Sequence, residues 1–297
     1  MRIRISLMML SMVFIMLIMS KASGERVVEI LEEKSDIANP AQPVYDKPNG
    51  DIEFVDVDFS YAGDVNKLCL KDVTLSIKAG ETVGVIGGTG AGKSSLVQLI
   101  PRLYDATRGT VKVGGRDVRA YDMETLREAV SVVLQKNELF SGTVAENLRW
   151  GDKNATDEEL VAACKIAEAD AFIKSMPDGY ATHIEQGGTN VSGGQKQRLC
   201  IARALLKKPA VLILDDSTSA VDTATDARIK AALKTAMPHT TKLIIAQRIS
   251  GVQDADKIIV MDNGRIDGVG THEELLKSNT IYQEVYESQR KGGDFDE

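Results

Sequence analysis

The chain has 297 residues, a net charge of −7 and an ordinary globular composition, with 43% hydrophobic and 27% charged residues. The acidic balance argues against sequence-independent binding to nucleic acid, because such binding relies on Lys and Arg to neutralise phosphates. The three cysteines form no CxxC pair and the three histidines have no ligand spacing, which argues against a disulfide framework or a zinc site.

The N-terminal residues 5–20 carry no charge and predict an apolar helix. A helix of that length spans about 24 Å, which is less than the hydrocarbon core of about 30 Å. One interpretation is a signal peptide, with Arg2 and Arg4 as its basic start. The other is the end of a transmembrane helix that continues into the cytosol. An apolar stripe among charged residues at 27–31 favours the second interpretation, because it lets the helix continue.

Composition divides the rest of the chain into segments. Residues 1–35 read as the last part of a transmembrane helix and its cytosolic extension, and the proline-containing residues 36–50 as an extended linker. Residues 51–285 form one predicted domain, in which a helical subdomain occupies about 141–209. Residues 286–297 are polar and predict a flexible tail.

A glycine-rich stretch follows the apolar strand "TVGVIG" and precedes apolar residues at helical spacing over 96–103. It matches the P-loop pattern GxxxxGK[ST] in its strand–loop–helix context. Glycines let the backbone wrap a polyphosphate, Lys93 supplies a charge to the phosphates, and the Ser94 hydroxyl binds Mg²⁺. The predicted nucleotide-binding residues are Gly87, Gly88, Thr89, Gly90, Ala91, Gly92, Lys93, Ser94 and Ser95.

A second glycine-opened helix start lies at "VSGGQ". Its hydroxyl and backbone N–H groups suit a phosphate, and the following helix stops before Pro209. One nucleotide does not need two such sites on one chain, so this one is expected to contact ATP on another chain in a head-to-tail dimer. We call these residues, Ser192, Gly193, Gly194 and Gln195, the signature.

The apolar run "VLIL" predicts a buried parallel strand that ends in two adjacent carboxylates, Asp215 and Asp216. In a P-loop ATPase, an aspartate at this place binds Mg²⁺ or its water, and Asp215 fits that role. Farther on, Asn263-Gly264 between apolar runs predicts a hairpin.

Together, Tyr61, "GGTGAGKS", Gln135, "SGGQ", "LILDDSTSAVD" and "IIAQR" resemble the nucleotide-binding domain of an ABC transporter over about 51–276. The preceding helix resembles the last transmembrane helix of an exporter-type half-transporter. The resemblance implies an α/β P-loop NTPase fold with a RecA-like core. It also implies an antiparallel β subdomain and an α-helical subdomain, preceded by a transmembrane helix fragment.

The resemblance further implies residue roles. Tyr61 would stack on adenine, Gln135 would reach Mg²⁺ and the attacking water, and Asp222 would lie in the loop where two chains meet. The implied cofactors are ATP and Mg²⁺, with Ser94, Gln135 and Asp215 around the metal. The implied partners are a second nucleotide-binding domain, a transmembrane domain and the membrane, but no nucleic acid. The expected location is the plasma membrane, with the ATPase domain on its cytoplasmic side.

The sequence departs from the family at two catalytic positions. Asp216 stands where hydrolysing members usually have glutamate, and Gln247 where they usually have histidine. Asp reaches about 1.5 Å less far than Glu, and a misplacement of about 1 Å can cost on the order of 100-fold in rate. We therefore expect a site that binds ATP well and hydrolyses it slowly, in a heterodimer where the intact signature completes the partner's site.

Three alternatives stay open at this stage. The protein could be a slow but symmetric homodimeric ATPase, a non-transport ATPase clamp, or a regulatory ATP-binding module. The apolar residues 5–20 speak against the clamp. A half-transporter needs five more membrane helices upstream, so we expect this chain to be a fragment or a truncated reading frame.

Overall fold

The computed structural model describes residues 2–216 and 221–291. The chain divides into two compact units, Met1–Ala38 and Asn39–Glu297. In the first unit, helix α1 spans Arg2–Glu32, and its side chains from residue 3 onward are exposed. The stretch Ile3–Glu32 is long and apolar enough to cross a membrane, a test that a signal sequence near an N-terminus also passes.

The second unit holds two main sheets and a set of helices. Its strands are β1 (Ile52–Phe59), β2 (Leu70–Ile77), β3 (Thr82–Gly87), β4 (Arg108–Val113), β5 (Arg116–Asp117), β6 (Val130–Val133), β7 (Gly142–Thr143), β8 (His183–Ile184), β9 (Val211–Asp215), β10 (Thr241–Ile245), β11 (Lys257–Asp262) and β12 (Arg265–Gly270). Its α-helices are α2 (Lys93–Gln98), α3 (Met123–Ala129), α4 (Val144–Arg149), α5 (Asp157–Ile166), α6 (Asp170–Ser175), α7 (Gly193–Leu206), α8 (Thr223–Ala236), α9 (His272–Ser278) and α10 (Thr280–Lys291).

The larger sheet has the strand order β12-β11-β3-β10-β9-β6. Strands β11, β3, β10, β9 and β6 pair in parallel, and β12 pairs antiparallel with β11. Strand β10 is buried along its whole length and β9 except at its last residue, which explains their continuous apolar sequences. The predicted hairpin joins β11 to β12, and both Asn263 and Gly264 have the positive φ that a type I′ turn requires.

The smaller sheet has the order β2-β1-β4-β5 and is antiparallel throughout. Strand β2 alternates exposed and buried side chains from Asp72 to Ile77, as expected for a sheet with one face in the core. Its buried side chains share one hydrophobic cluster with Val83 and Val85 of β3 and with Leu96 of α2. The predicted α/β fold with an antiparallel sheet is confirmed.

Helices α4 to α7 lie within the segment predicted to be helical, and α7 is the helix that begins at the signature. Buried side chains of α5 and α7 belong to one hydrophobic cluster: Leu160, Ala163, Cys164, Leu199, Cys200, Ile201 and Leu205. Helix α7 ends at Leu206, before Pro209, as the sequence predicted.

The structure differs from the sequence prediction in the helix after the P-loop. The apolar spacing predicted a helix over 96–103, but α2 ends at Gln98. Pro101 is the physical reason, because it lacks an N–H and disfavours helical geometry at Ile100 before it. The chain continues through irregular turns, in which Leu103 N–H donates to Gln98 O at 3.0 Å.

The predicted linker and tail are more ordered than the sequence suggested. Residues 39–50 belong to the second unit, where Asn39 Nδ2 donates to Asp122 Oδ1 at 2.6 Å and Val44 N–H donates to Ala120 O at 2.9 Å. At the other end, α10 continues to Lys291, past the predicted domain end at residue 285. Residues 292–297 of the predicted tail lie outside the described residues.

Thr241 fastens the start of the domain to the parallel sheet, and this contact gives a stability prediction. Its side chain is fully buried in β10, its Oγ1 donates to Gly50 O at 2.6 Å, and it accepts from Gly80 N–H at 3.1 Å. Thr241→Val keeps the shape but leaves both groups without this partner, at a cost of about 2 kcal/mol. We expect a melting temperature about 4–8 °C lower for the full chain in detergent.

Thr235→Val is the matched control, because Thr235 is exposed on α8 and bonds only within its own helix, to Ala231 O. A drop of equal size in the control would contradict the explanation from buried hydrogen bonds.

Candidate functional site

The P-loop lies between β3 and α2 and is shaped by its glycines. Gly87, Gly90 and Gly92 have φ values of 157°, 82° and 96°, which other residues rarely adopt. A Cβ at Gly87 would lie 2.3 Å from Met261 O, and one at Gly92 would lie 2.9 Å from Leu70 Cδ2. These two positions therefore need glycine for space as well as for backbone conformation.

The remaining predicted loop residues surround an open surface. Gly88, Thr89 and Gly90 are exposed, and Ala91 N–H closes the turn on Gly88 O at 3.2 Å. A cavity of about 510 Å³ borders the loop and is lined in part by Lys93, Ser94 and Ser95.

Lys93 carries the positive charge of the loop. Its Nζ donates to Gly87 O at 2.7 Å and to Gly88 O at 2.9 Å, so the ammonium group lies over the loop. Burial lowers the pKa of Lys93, while the carboxylates of Asp215 and Asp216 act in the opposite direction. Its single positive charge thus interacts with both aspartates and lies at the loop where a phosphate would bind.

Ser94 at the start of α2 and Asp215 at the end of β9 act on each other, because the Ser94 side chain is one of the groups that lower the pKa of Asp215. Burial raises the pKa of Asp215, while the Ser94 hydrogen bond and the Lys93 charge lower it. Mg²⁺ takes oxygen ligands and is usually held by one or two carboxylates together with substrate phosphates. A hydroxyl and a carboxylate at this sheet edge are oxygen ligands of the kind that fit that ion. Among the described residues no group of three or more His, Cys, Asp or Glu forms a protein-only metal site.

Asp216 is the meeting point of three chain segments. Its Oδ2 accepts from Gln135 Nε2 at 3.0 Å and from Gln247 Nε2 at 2.9 Å. Its backbone has a φ of 48°, and its N–H donates to Ile245 O at 2.9 Å. Aspartate tolerates this left-handed conformation better than most residues.

The pKa of Asp216 is raised above its usual value. Burial is the main cause, and the neighbouring Asp215 carboxylate adds to it. The two glutamine amides and Lys93 act in the opposite direction, because they stabilise the ionised form. The structure thus brings together the three residues predicted to be catalytic, with the carboxylate between two amides.

Tyr61 lies beside the P-loop helix. Its hydroxyl hydrogen-bonds Ser95 Oγ and Gln98 Oε1, each at 3.0 Å. Its ring makes edge contacts with Phe59 and Tyr104, with centroid distances of 4.8 Å and 5.0 Å. About half of Tyr61 is exposed, so an aromatic surface remains available next to the nucleotide loop. The ring contact between Tyr61 and Tyr104 had no signal in the sequence.

The signature residues form the start of α7 instead of joining the P-loop. Ser192 caps the helix: its side chain accepts from Gln195 N–H at 3.2 Å, and Gln195 Oε1 accepts from Ser192 N–H at 2.9 Å. The S-x-x-Q spacing of a capping box predicts this pair, a signal that the sequence analysis did not use. Within the described residues, no hydrogen bond joins the signature to residues 87–95. Gly193 is exposed and Gly194 half-buried.

Asp222 caps another helix, α8, where its side chain accepts from Thr225 N–H at 2.9 Å. Asp222 is exposed, and this hydrogen bond is the main reason that its pKa is lowered. The preceding residues 217–220 of the predicted dimer loop lie outside the described residues.

Comparison with known proteins places this geometry in a family context. A sequence model of the ABC transporter family matches residues 70–219. The chain is 42% identical over 281 residues to an uncharacterized ABC transporter ATP-binding protein of Bacillus subtilis, YknV, a match that covers 94% of this chain and 46% of that protein. A protein of the same organism named as a candidate multidrug export ATP-binding/permease protein, YgaD, is 42% identical over 268 residues, covering 90% and 46%.

A solved structure gives the same result. The structure of a bacterial Atm1-family ABC exporter with ATP bound matches with a TM-score of 0.85 and 33% sequence identity. The match covers 95% of this chain and 49% of that one. The chain therefore spans about half the length of the relatives that it matches.

The raised pKa of Asp216 predicts that this site costs stability. A raised carboxyl pKa means that the wild type loses stability as pH rises from the unfolded pKa of about 3.9 to the folded pKa. Asp216→Asn removes the charge and keeps an oxygen that can accept from both glutamines. We expect the variant to melt roughly 2 °C higher than the wild type at pH 7, with the difference shrinking as pH falls below the folded pKa. Asp178→Asn, outside this site, serves as the control, and a variant that melts lower at pH 7 would contradict the prediction.

Proposed function

The chain belongs to the ABC transporter family, and on that premise we propose that it is the ATP-binding domain of an exporter whose own site binds MgATP stably and hydrolyses it slowly. The observation that carries this proposal is the arrangement at Asp216, where a short carboxylate is held between the side-chain amides of Gln135 and Gln247. Every predicted phosphate-binding group is present beside it.

Nucleotide binding follows from the chain's own groups. Backbone N–H groups of residues 87–95 and the Lys93 ammonium would neutralise the phosphates, and Tyr61 would support the adenine ring. Ser94 and Asp215, with Gln135, would hold Mg²⁺. When bound, the ion would neutralise charge on the phosphate oxygens.

Slow hydrolysis follows from what the side chains beside the phosphate can do. A general base must come within about 2.6–3.2 Å of the proton that it takes. Asp216 is about 1.5 Å shorter than the glutamate usual in the family, and a shortfall of about 1 Å can cost on the order of 100-fold. Gln247 can donate a hydrogen bond to a γ-phosphate, but its amide cannot carry a proton at neutral pH.

The signature supports a heterodimeric assembly. Ser192 to Gln195 form a well-capped helix start with exposed residues, although the chain's own hydrolytic residues depart from the family pattern. In a head-to-tail dimer, this intact surface would complete the ATP site of a partner that has the usual glutamate and histidine. The assembled transporter would lie in the plasma membrane. Helix α1 would be joined to a transmembrane domain, and the ATPase domain would be on the cytoplasmic side. Substrate export by the assembled transporter is the function that this domain would drive.

Restoring the two family residues tests the slow site. We expect the Asp216→Glu, Gln247→His double variant of the full chain in detergent to hydrolyse ATP on the order of 100-fold faster than the wild type, because the longer carboxylate reaches the water. Both proteins should bind MgATP with similar affinity, measured by equilibrium titration. The single variants serve as matched controls. A wild type that already turns over at about 1 s⁻¹ or faster would instead favour a symmetric ATPase.

Mixing two disabled chains tests whether the signature acts on a partner. The first chain carries Asp216→Glu, Gln247→His and Ser192→Arg, so its own site is repaired but its signature is lost. The second carries only Lys93→Ala, so its signature is intact but its own P-loop is disabled. We expect each chain to be nearly inactive alone, and the mixture to hydrolyse ATP roughly tenfold or more above the sum of the two, because the hybrid dimer contains one complete site.

The control for the mixture adds Ser192→Arg to the Lys93→Ala chain. A mixture with this control chain should stay inactive. Equal activity in both mixtures would show that the signature is not contributed across the dimer.

A further inference from the structure

The C-terminal helix contacts the segment that carries Gln247. Gln289 on α10 places its side-chain amide against the backbone on both sides of Arg248. Its Nε2 donates to Gln247 O at 2.8 Å, and its Oε1 accepts from Ile249 N–H at 2.9 Å. We call residues 246–251, between β10 and the end of the following 3₁₀ turn, the switch segment.

The amide geometry makes this contact specific. A carboxamide offers one acceptor and an N–H donor side by side, as a peptide unit does, and here it satisfies one carbonyl and one N–H of the same short segment. Both backbone groups follow the last residue of β10, where the sheet ladder ends. The Gln289 side chain thus hydrogen-bonds two backbone groups just past the end of β10, which no strand in the described part of the chain does.

Helix α10 is itself fixed to the core. Tyr282 is 1% exposed, and its hydroxyl hydrogen-bonds His272 Nδ1 at 2.7 Å. Ile281 and Val285 pack against the hydrophobic cluster of α5 and α7, which also contains Ile249. The position of Gln289 is therefore set by buried packing on its own helix, and Gln289 can transmit that position to the switch segment.

The switch segment is held from a second direction as well. Lys230 on α8 donates to Gly251 O at 2.7 Å and pairs with Asp226. Between these attachments, Gln247 extends its side chain to Asp216 Oδ2 at 2.9 Å. The backbone of Gln247 is thus fixed by α10, while its side chain reaches the catalytic carboxylate.

We propose that Gln289 is a positioning residue that holds the switch segment, so that α10 controls where the Gln247 side chain lies at the γ-phosphate side of the nucleotide site. The inference rests on the proposed function in one respect, the placing of Gln247 next to the γ-phosphate. Gln289 itself touches neither nucleotide nor water in this proposal. Its substitution should change turnover and leave nucleotide affinity intact.

The test uses the full chain in detergent and compares Gln289→Ala with Gln283→Ala. Gln283 is on the same helix and donates to Leu276 O at 2.7 Å, away from the switch segment. The first measurement is amide hydrogen exchange of Ile249. Because its N–H loses an acceptor, we expect exchange about tenfold faster in Gln289→Ala and unchanged in Gln283→Ala. Gln289→Glu keeps an acceptor for Ile249 and loses the donor to Gln247 O, so it should retain much of the protection.

The second measurement separates kcat from KM for ATP hydrolysis, in the wild type and in the Asp216→Glu, Gln247→His background. We expect Gln289→Ala to lower kcat about tenfold with KM within twofold, and Gln283→Ala to change neither. Gln289→Glu should fall between the two.

The outcomes are distinct. Unchanged Ile249 exchange, or faster exchange with unchanged kcat, would overturn the proposal, because Gln289 would then not hold the segment or would hold it without consequence for turnover. If the repaired background is no faster than the wild type, the proposed slow site fails. The exchange data and the wild-type kcat ratio still decide the role of Gln289 in that case.

Discussion

Parallel pairing of four strands is the constraint on which the candidate site depends. Strands β6, β9, β10 and β3 run in the same direction, with Ile245 in register with both Asp215 and Val85. The chain leaves each strand at the same sheet edge, and ligands of open α/β sheets bind at this edge. The P-loop, the aspartate pair, the switch segment and the Gln135 loop each follow one of these strands. Groups far apart in sequence therefore meet without any long loop having to fold back.

The same constraint concentrates charge where burial opposes it. Lys93, Asp215 and Asp216 share one sheet edge. Burial lowers the pKa of Lys93 and raises the pKa of both aspartates, so it favours the neutral form of each group. The surrounding amides and the Ser94 hydroxyl offset part of this by hydrogen-bonding the ionised carboxylates. Such an arrangement is unfavourable for a fold alone and becomes favourable when a polyphosphate and a cation are bound, because they supply the missing opposite charges. The stability cost and the binding capacity have one physical origin.

The sequence revealed the parts of the site that depend on local chain geometry. Glycine spacing predicted the P-loop, the apolar run predicted the strand before Asp215, and Asn263-Gly264 predicted a hairpin that the structure contains. Apolar spacing failed after Gln98, because Pro101 acts on the backbone whatever the periodicity. Tertiary contacts left no local sequence signal. Only the family resemblance pointed to Gln135, which bonds a partner 81 residues away, and nothing pointed to Gln289, whose partners are 40 and 42 residues away. Likewise, nothing local predicts the left-handed backbone of Asp216.

The left-handed backbone of Asp216 links its side-chain length to the proposed slow turnover. With a φ of 48° and its N–H bonded to Ile245 O, Asp216 keeps the backbone connection between β9 and β10 one residue past the end of the ladder. Its carboxylate then reaches both glutamine amides, and Gln247 is fixed in turn by Gln289. Each of these contacts is a hydrogen bond to or from an amide, and an amide is neither an effective acid nor an effective base at neutral pH. The hydrogen-bonded set can orient a phosphate and a water firmly, but in it only the short carboxylate can take a proton. The proposed firm binding and slow hydrolysis would therefore be two consequences of the same set of side chains.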